Sequence, residues 1–293
     1  MSMKNQPLRN QIALVAGATR GAGRAIAVEL GRAGATVYVT GRSTRAKRSP
    51  MNRPETIEET AELVTKAGGA GIAVCMDHTR EEDVVALFDQ IKSEQQGRLD
   101  ILVNDLWGGD PLTEWGKGFW ETPLANGLLI QKQAVHSHIM TAYYAAPLMV
   151  ERKAGLIVEI TDGVGYHYRG NLYYSLAKIG VSHLAQGMAA DLKPHGVTAL
   201  AVTPGFLRSE AMLEYFGVQE ENWRDAAEQD IHFLQSETPY FVAQGIAALA
   251  ADPQVAEKTG QLLSSWSLSD DYGFIDVDGR SPHWGRYAKE NGF

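Results

Sequence analysis

The chain has 293 residues, 44% of them hydrophobic, enough to bury a core as one large α/β domain or two small ones. Its formal net charge of -8 argues against a surface built to neutralise a nucleic-acid backbone or anionic lipid, so neither is an expected partner. A single cysteine excludes an intrachain disulfide, and no stretch reaches the ~18 uninterrupted apolar residues of a membrane span.

The polar segment 1–10, with Lys4 and Arg9, lacks the apolar run of a secretory signal, and a cytoplasmic protein is the expectation. The first apolar run, 12–16, leads into Ala16-Gly17-Ala18-Thr19-Arg20-Gly21-Ala22-Gly23-Arg24 and then a helical pattern over 25–31. Such a strand, glycine turn and helix is suited to phosphate: Gly17 permits a tight turn, Gly21 and Gly23 withhold side chains from the anion, and helix-terminal N–H groups face it. The second run, 36–40, ends in Thr40-Gly41-Arg42-Ser43, with no carboxylate before Glu55. Dinucleotide folds that select NAD carry an acidic residue there for the ribose 2′-hydroxyl, whereas Arg20, Arg42 and the Ser43 hydroxyl suit a 2′-phosphate, so NADP(H) is the cofactor expected.

A third run, 72–75, holds Cys75 as an expected buried spectator, and Asp77 and His78 follow it. Thr79 and Glu82 read as a capping box, and a fourth run, 99–103, is closed by Asn104. Beyond an aromatic segment over 106–125 come a helix over 127–152 and a fifth run over 156–160, followed by Thr161 and Asp162. The next helix, 173–194, opens on Tyr174-Ser175-Leu176-Ala177-Lys178. Tyr174 and Lys178 lie four apart and share a helix face, where a cation favours the phenolate and lowers a tyrosine pKa from its usual value of about 10. Tyr173 is a decoy, because Ala177 lies four residues on from it. The sixth run, 197–202, leads to Thr203-Pro204-Gly205 and a long segment over 206–235; Thr238 before Pro239 reads as a helix cap, and a seventh run spans 262–266. The tail, 267–293, carries Tyr272, Phe274, Trp284, Tyr287 and Phe293, which should pack on their own subunit or on a neighbour.

Near-continuous Val, Ile and Leu in seven short runs alternating with helices predict a doubly wound Rossmann-type α/β domain, a seven-stranded parallel sheet covered on both faces. Without a repeat or linker, residues 1–293 read as one domain, with long segments 106–125 and 206–235 as candidate substrate walls. No metal site is read from the sequence.

The glycine spacing, three residues between Gly17 and Gly21 and one before Gly23, together with Tyr174-x-x-x-Lys178, resembles the short-chain dehydrogenase/reductase family over nearly the whole chain. That resemblance implies that Tyr174 protonates a carbonyl while NADPH delivers hydride, or acts as base in reverse. It implies that Lys178 holds the nicotinamide ribose and that Pro204, Gly205, Phe206, Leu207 and Ser209 wrap the nicotinamide. It further implies that Asp77, with His78 beside it, meets the adenine and that Asn104 stands for the first Asn of the family's Asn-Asn-Ala-Gly motif. Three positions depart from the pattern. Asn104 is followed by Asp105-Leu106-Trp107; the catalytic serine maps to Thr161 by distance from Tyr174 or to Asp162 by distance from Gly165; and the relay asparagine maps to Ala134, with His136 or His138 as substitutes. An ionised Asp162 would raise the Tyr174 pKa, and a cap for the Asp162-Gly163 turn is its competing role. Segment 106–125, with Trp107, Trp115, Phe119 and Trp120, resembles the longer loop of the subgroup that includes mammalian dehydrogenase/reductase member 1 and its bacterial relatives. Its aromatics either line a pocket or anchor the loop.

The expected function is carbonyl reduction, or alcohol oxidation in reverse, on a small, moderately apolar molecule. The alternatives are a silent NADP-binding sensor or scaffold, or non-redox chemistry in the same cleft. The resemblance also implies a homodimer or homotetramer through helices 127–152 and 173–194, with Ala142, Ala145 and Ala146 allowing close approach.

Overall fold

The computed structural model describes residues 6–48 and 51–292; Lys4 and Phe293, named above, lie outside the described residues. Among the described residues seven parallel strands form one sheet: β1 (Ile12–Ala16), β2 (Thr36–Gly41), β3 (Ala70–Cys75), β4 (Ile101–Asn104), β5 (Gly155–Ile160), β6 (Val197–Thr203) and β7 (Leu262–Ser264). Their order is β3-β2-β1-β4-β5-β6-β7, with Ala16 level with both Thr40 and Asn104. The direction of winding reverses between β1 and β4, which opens a crevice at their carboxyl ends. Every residue of β1, β4 and β6 is buried, the physical reason that these strands are predominantly apolar.

Helices α1 (Gly21–Arg32), α2 (Ile57–Ala67) and α8 (Pro239–Ala251) cover one face around Ile26, Leu30, Val242 and Ile246. Helices α3 (Glu81–Gln95), α5 (Ser137–Arg152) and α6 (Leu172–Leu192) cover the other around Phe88, Ile91, Met149 and Leu192. Short α4 (Leu124–Gln131) runs through one π turn, Lys132–His136, into α5. Helix α7 (Glu210–Phe216) sits in the long segment after β6, and α9 (Ser265–Tyr272) and α10 (Trp284–Asn291) form the tail.

Four expectations are corrected. Cys75 is exposed, because β3 is an edge strand with alternating exposure. The seventh strand ends at Ser264, whose hydroxyl accepts from Ser267 N–H at 3.2 Å; Ser265 and Trp266 thus begin α9. Thr79 and Glu82 form no capping box, since the Thr79 hydroxyl donates to Asp77 at 2.8 Å and α3 starts after Arg80. Ala142 and Ala145 are buried against their own sheet, so neither faces a neighbour, and Ala146 packs on the same core. The Thr238 cap is present, its hydroxyl accepting from Tyr240 N–H at 3.2 Å.

Candidate active site

A cleft of about 880 Å³ opens at the carboxyl ends of the strands and runs from the glycine turn to α6. Gly17 has φ +86°, and a Cβ there would strike the Asp105 carbonyl. At Gly23 a Cβ would lie 2.5 Å from the Gly17 carbonyl and 2.9 Å from an Asp105 carboxylate oxygen, so this glycine lets α1 close on the turn. Gly23 therefore does not line the cleft as expected, whereas Gly17, Thr19, Arg20 and Gly21 do. The first helical N–H, that of Gly21, donates to the Glu210 carboxylate at 2.9 Å, showing that this helix end accommodates an anion.

At the end of β2, Arg42 and Ser43 line the cleft together with Asp77, His78 and Thr79. Arg42 stands 3.7 Å from an Asp77 oxygen, while the other Asp77 oxygen accepts from Thr79 N–H at 2.9 Å. Burial pushes the Asp77 carboxyl up, but the Thr79 hydrogen bonds and the Arg42 charge outweigh it and hold the group below the usual carboxylate range. His78 is buried between the Thr40 and Thr141 hydroxyls, at 2.7 and 2.8 Å.

Helix α6 delivers the candidate proton donor. The Asn171 side chain caps the helix by accepting from Tyr174 N–H at 3.1 Å, which fixes Tyr174 in the first turn. The Tyr174 ring lies between Trp107 and Trp115, with centroids 5.3 and 5.2 Å away, and its hydroxyl donates to Asp162 at 2.6 Å. The Lys178 ammonium lies 5.6 Å from the Tyr174 ring centroid and 4.3 Å from that of Trp107. Lysine proximity does not win here: burial and then Asp162 raise the Tyr174 pKa well above its ordinary value, opposite to the direction expected from Lys178. Burial also depresses Lys178, against the pull of Asp162, Asp105 and Asp110. Asp162 caps no turn; it is held by Arg169, 2.9 Å away.

The two candidates for the serine position make different contacts. Thr161, although at the cleft edge, donates to the Lys178 carbonyl at 2.7 Å and accepts from Ser182 at 3.1 Å, so its hydroxyl is committed to α6 and Asp162 meets Tyr174 instead. Asn104 does not line the cleft either; it is fully buried and donates to Glu159 at 2.8 Å. The other Glu159 oxygen pairs with His138, which also reaches the Leu106 carbonyl at 2.9 Å. His138 is thus a buried strut and His136 is exposed, and neither lines the cleft. The cleft instead receives Gln133 and Ser137 from the π turn and the start of α5, and the side-chain amide oxygen Oε1 of Gln133 is buried with no hydrogen-bond partner. Sequence reading passed over Gln133, Arg169 and Glu210; Ala134, on the same π turn as Gln133, is buried away from the cleft.

Both long segments and the tail supply walls. Trp107 and Trp115 line the cleft, whereas Phe119 and Trp120 are exposed outside it, so two of the four aromatics line the cleft and the other two are not buried as anchors. Trp107 is fixed by its indole N–H donating to Asp110 at 2.6 Å. Pro204, Gly205, Phe206, Leu207, Ser209 and Met212 form the opposite wall, closed by Trp284 of the tail, which packs on Phe206 at 5.6 Å. Segment 206–235 has its own small core of Phe216, Trp223 and Phe233.

Comparisons with known proteins bear on the family and the fold. The family model described as short chain dehydrogenase matches residues 11–218. The chain is 36% identical over 278 residues to human Dehydrogenase/reductase SDR family member 1 and 34% identical to its mouse counterpart, in each case over 94% of this chain and 85% of the relative. Its fold superposes with a TM-score of 0.78 on a short chain dehydrogenase from Mycobacterium thermoresistibile, at 23% identity over 95% of this chain and 92% of that one.

Proposed function

The chain belongs to the short-chain dehydrogenase family of NAD(P)-dependent oxidoreductases, and we propose that it transfers hydride between NADP(H) and the carbonyl or alcohol of a small, moderately apolar molecule. One observation carries this reading: the Tyr174 hydroxyl and the Lys178 ammonium, one helical turn apart, border the same cleft as the glycine turn. The anion already seated on Gly21 supports a phosphate there.

In this reading Gly17, Thr19 and Gly21 hold the pyrophosphate, with Gly23 closing the turn beneath them. Arg20, Arg42 and Ser43 favour a 2′-phosphate, Asp77 and His78 border the adenine, and Pro204, Gly205, Phe206 and Ser209 border the nicotinamide. Asn104 acts only from behind the cleft, through Glu159. The cofactor, when bound, supplies or accepts the hydride. Lys178 binds the nicotinamide ribose. Tyr174 donates its hydroxyl proton to the nascent alkoxide, which is a stronger base than even a phenolate with a raised pKa, and takes the proton back in the oxidative direction. Trp107 and Trp115 keep water from the Tyr174 ring and favour an apolar substrate.

The chain acts as a single domain over residues 1–293 and, in keeping with its family, as a homodimer or homotetramer. Exposed Ile139, Tyr143 and Leu176 on α5 and α6 supply apolar surface for that contact. A cytoplasmic location fits the absence, among the described residues, of any helix long and apolar enough to cross a membrane. The test is to supply purified protein with NADPH or NADH and a panel of ketones, aldehydes and quinones. Cofactor oxidation with NADPH favoured in kcat/KM is expected; no turnover across the panel contradicts the proposal.

A further inference from the structure

Asp162 creates a problem that the rest of the site has to solve. A carboxylate against a phenol opposes phenolate formation, and a mobile carboxylate beside a lysine neutralises it. Both partners are here: Tyr174 Oη lies 2.6 Å from Asp162 Oδ2, and Lys178 opens to the same cleft. The charged groups that face Tyr174 and Lys178 from the surrounding elements are Asp105 after β4, Asp110 in the aromatic segment, Asp162 after β5, and Arg169.

Arg169 reaches both oxygens of Asp162 through one nitrogen, at 3.0 Å from Oδ1 and 2.9 Å from Oδ2. The chain between them is folded for this contact. Gly163 adopts φ +92° and Gly170 φ +81°, so the intervening residues double back, and a Cβ at Gly163 would lie 3.3 Å from the Arg169 guanidinium. The Arg169 backbone N–H donates to Ser175 Oγ at 2.8 Å, and Ser175 donates to the Asn171 carbonyl at 2.7 Å. Arg169 is therefore stitched to the same first turn of α6 that Asn171 caps and that carries Tyr174. A surface ion pair contributes little to stability, but this one lies on the cleft wall and its carboxylate is already engaged by the candidate acid.

We infer that Arg169 is a positioning residue of the proton-transfer centre: it clamps the Asp162 carboxylate so that one oxygen meets the Tyr174 hydroxyl and neither oxygen swings to Lys178. Asp162 and Arg169 then do together what a neutral hydroxyl does alone: they orient Tyr174 without adding an uncompensated charge. Without the guanidinium, Tyr174 faces an unbalanced carboxylate, and Lys178 is exposed to capture by it. Its burial already holds Tyr174 in the protonated form, so the clamp is felt most in the oxidative direction, which needs the phenolate.

The inference rests on the functional reading above, and the experiment separates the two. Arg169→Gln, Arg169→Lys, Asp162→Ser and Asp162→Ser/Arg169→Gln are compared with the full-length wild-type protein for kcat, KM, pH profile, NADPH affinity and melting temperature. Arg169→Gln should lower kcat about tenfold or more with a smaller change in KM, and displace the oxidative limb of the pH profile to higher pH. Arg169→Lys should recover part of the loss, and Arg169→Gln should cost less than about twofold once Asp162 is serine, because nothing remains to clamp. Wild-type turnover that depends on Tyr174, combined with an Arg169→Gln variant of unchanged kcat and pH profile, overturns the inference alone. So does an Arg169→Gln loss of equal size in the Asp162→Ser background. A wild-type protein without Tyr174-dependent turnover overturns the functional reading, and this inference with it.

Discussion

The Gly21 N–H donates to the Glu210 carboxylate at 2.9 Å, joining the start of α1 to the start of α7 across 189 residues of sequence. The helix end that suits a phosphate is thus covered by an anion from the substrate wall. A second tie runs in parallel, since Arg53 pairs with Glu55 at 2.8 Å and with Glu214 of α7. Both ties fasten α7, part of the 206–235 wall, beside the glycine turn.

Because a dinucleotide phosphate competes with Glu210 for the Gly21 N–H, Glu210→Gln should tighten NADPH binding. A three- to tenfold fall in Kd, about 0.7 to 1.4 kcal/mol, is expected at low ionic strength, shrinking as salt is added. Calorimetric titration checks this; an unchanged or weaker Kd would show that Glu210 does not stand in the way.

Cofactor choice should rest on Arg42. Replacing a guanidinium that bonds a phosphate removes about 1.5 to 3 kcal/mol, so Arg42→Ala should lower the NADPH-to-NADH ratio in kcat/KM by about tenfold or more. The NADH rate itself should hardly change. Equal losses with both cofactors would assign Arg42 to the Asp77 contact rather than to the 2′-phosphate.

His78 gives a stability signature. Burial pushes its pKa down to about 3, whereas histidine in an unfolded chain titrates near 6.5. With the folded value depressed, its stabilisation is complete above about pH 6.5 and is lost as pH falls toward 3, with a slope of at most about 1.4 kcal/mol per pH unit. Glu237 and Asp105, pushed up by burial to about 8 and about 6, act in the opposite sense and lose stabilisation as pH rises. Denaturant titrations of wild type and His78→Gln at several pH values isolate the first effect, because the carboxylates cancel in the difference. The gap between the two proteins should narrow from pH 6.5 to 4; a constant gap would contradict the assignment.

Much of the architecture was legible because the chemistry of a doubly wound sheet is written locally. Strands buried on both faces are predominantly apolar, and the turn after β1 needs glycine wherever Asp105 or the Gly17 carbonyl comes close. What escaped the sequence depends on neighbours far along the chain. The alternation of β3 was masked by its short length, and its edge position exposes Cys75. A serine cap at Ser264 converted the end of an apolar run into α9. Thr161 and Asp162 are adjacent, and only their contacts, Thr161 with the Lys178 carbonyl and Asp162 with the Tyr174 hydroxyl, show which of them turns toward Tyr174. Arg169 lies in a non-periodic glycine-flanked segment, where no spacing rule marks a residue, and Glu159 hides a buried carboxylate inside β5 because its partners, Asn104 and His138, come from other elements.

The most direct measurement is NADPH oxidation by Tyr174→Phe beside wild type, on a carbonyl substrate that wild type reduces, with dinucleotide Kd determined for both. Removing a general acid should lower kcat/KM by about 10² to 10⁴-fold while Kd stays within about threefold. Turnover within a few-fold of wild type would mean that the proton comes from another group and that the assignment of this cleft as a Tyr174-dependent hydride-transfer site is wrong.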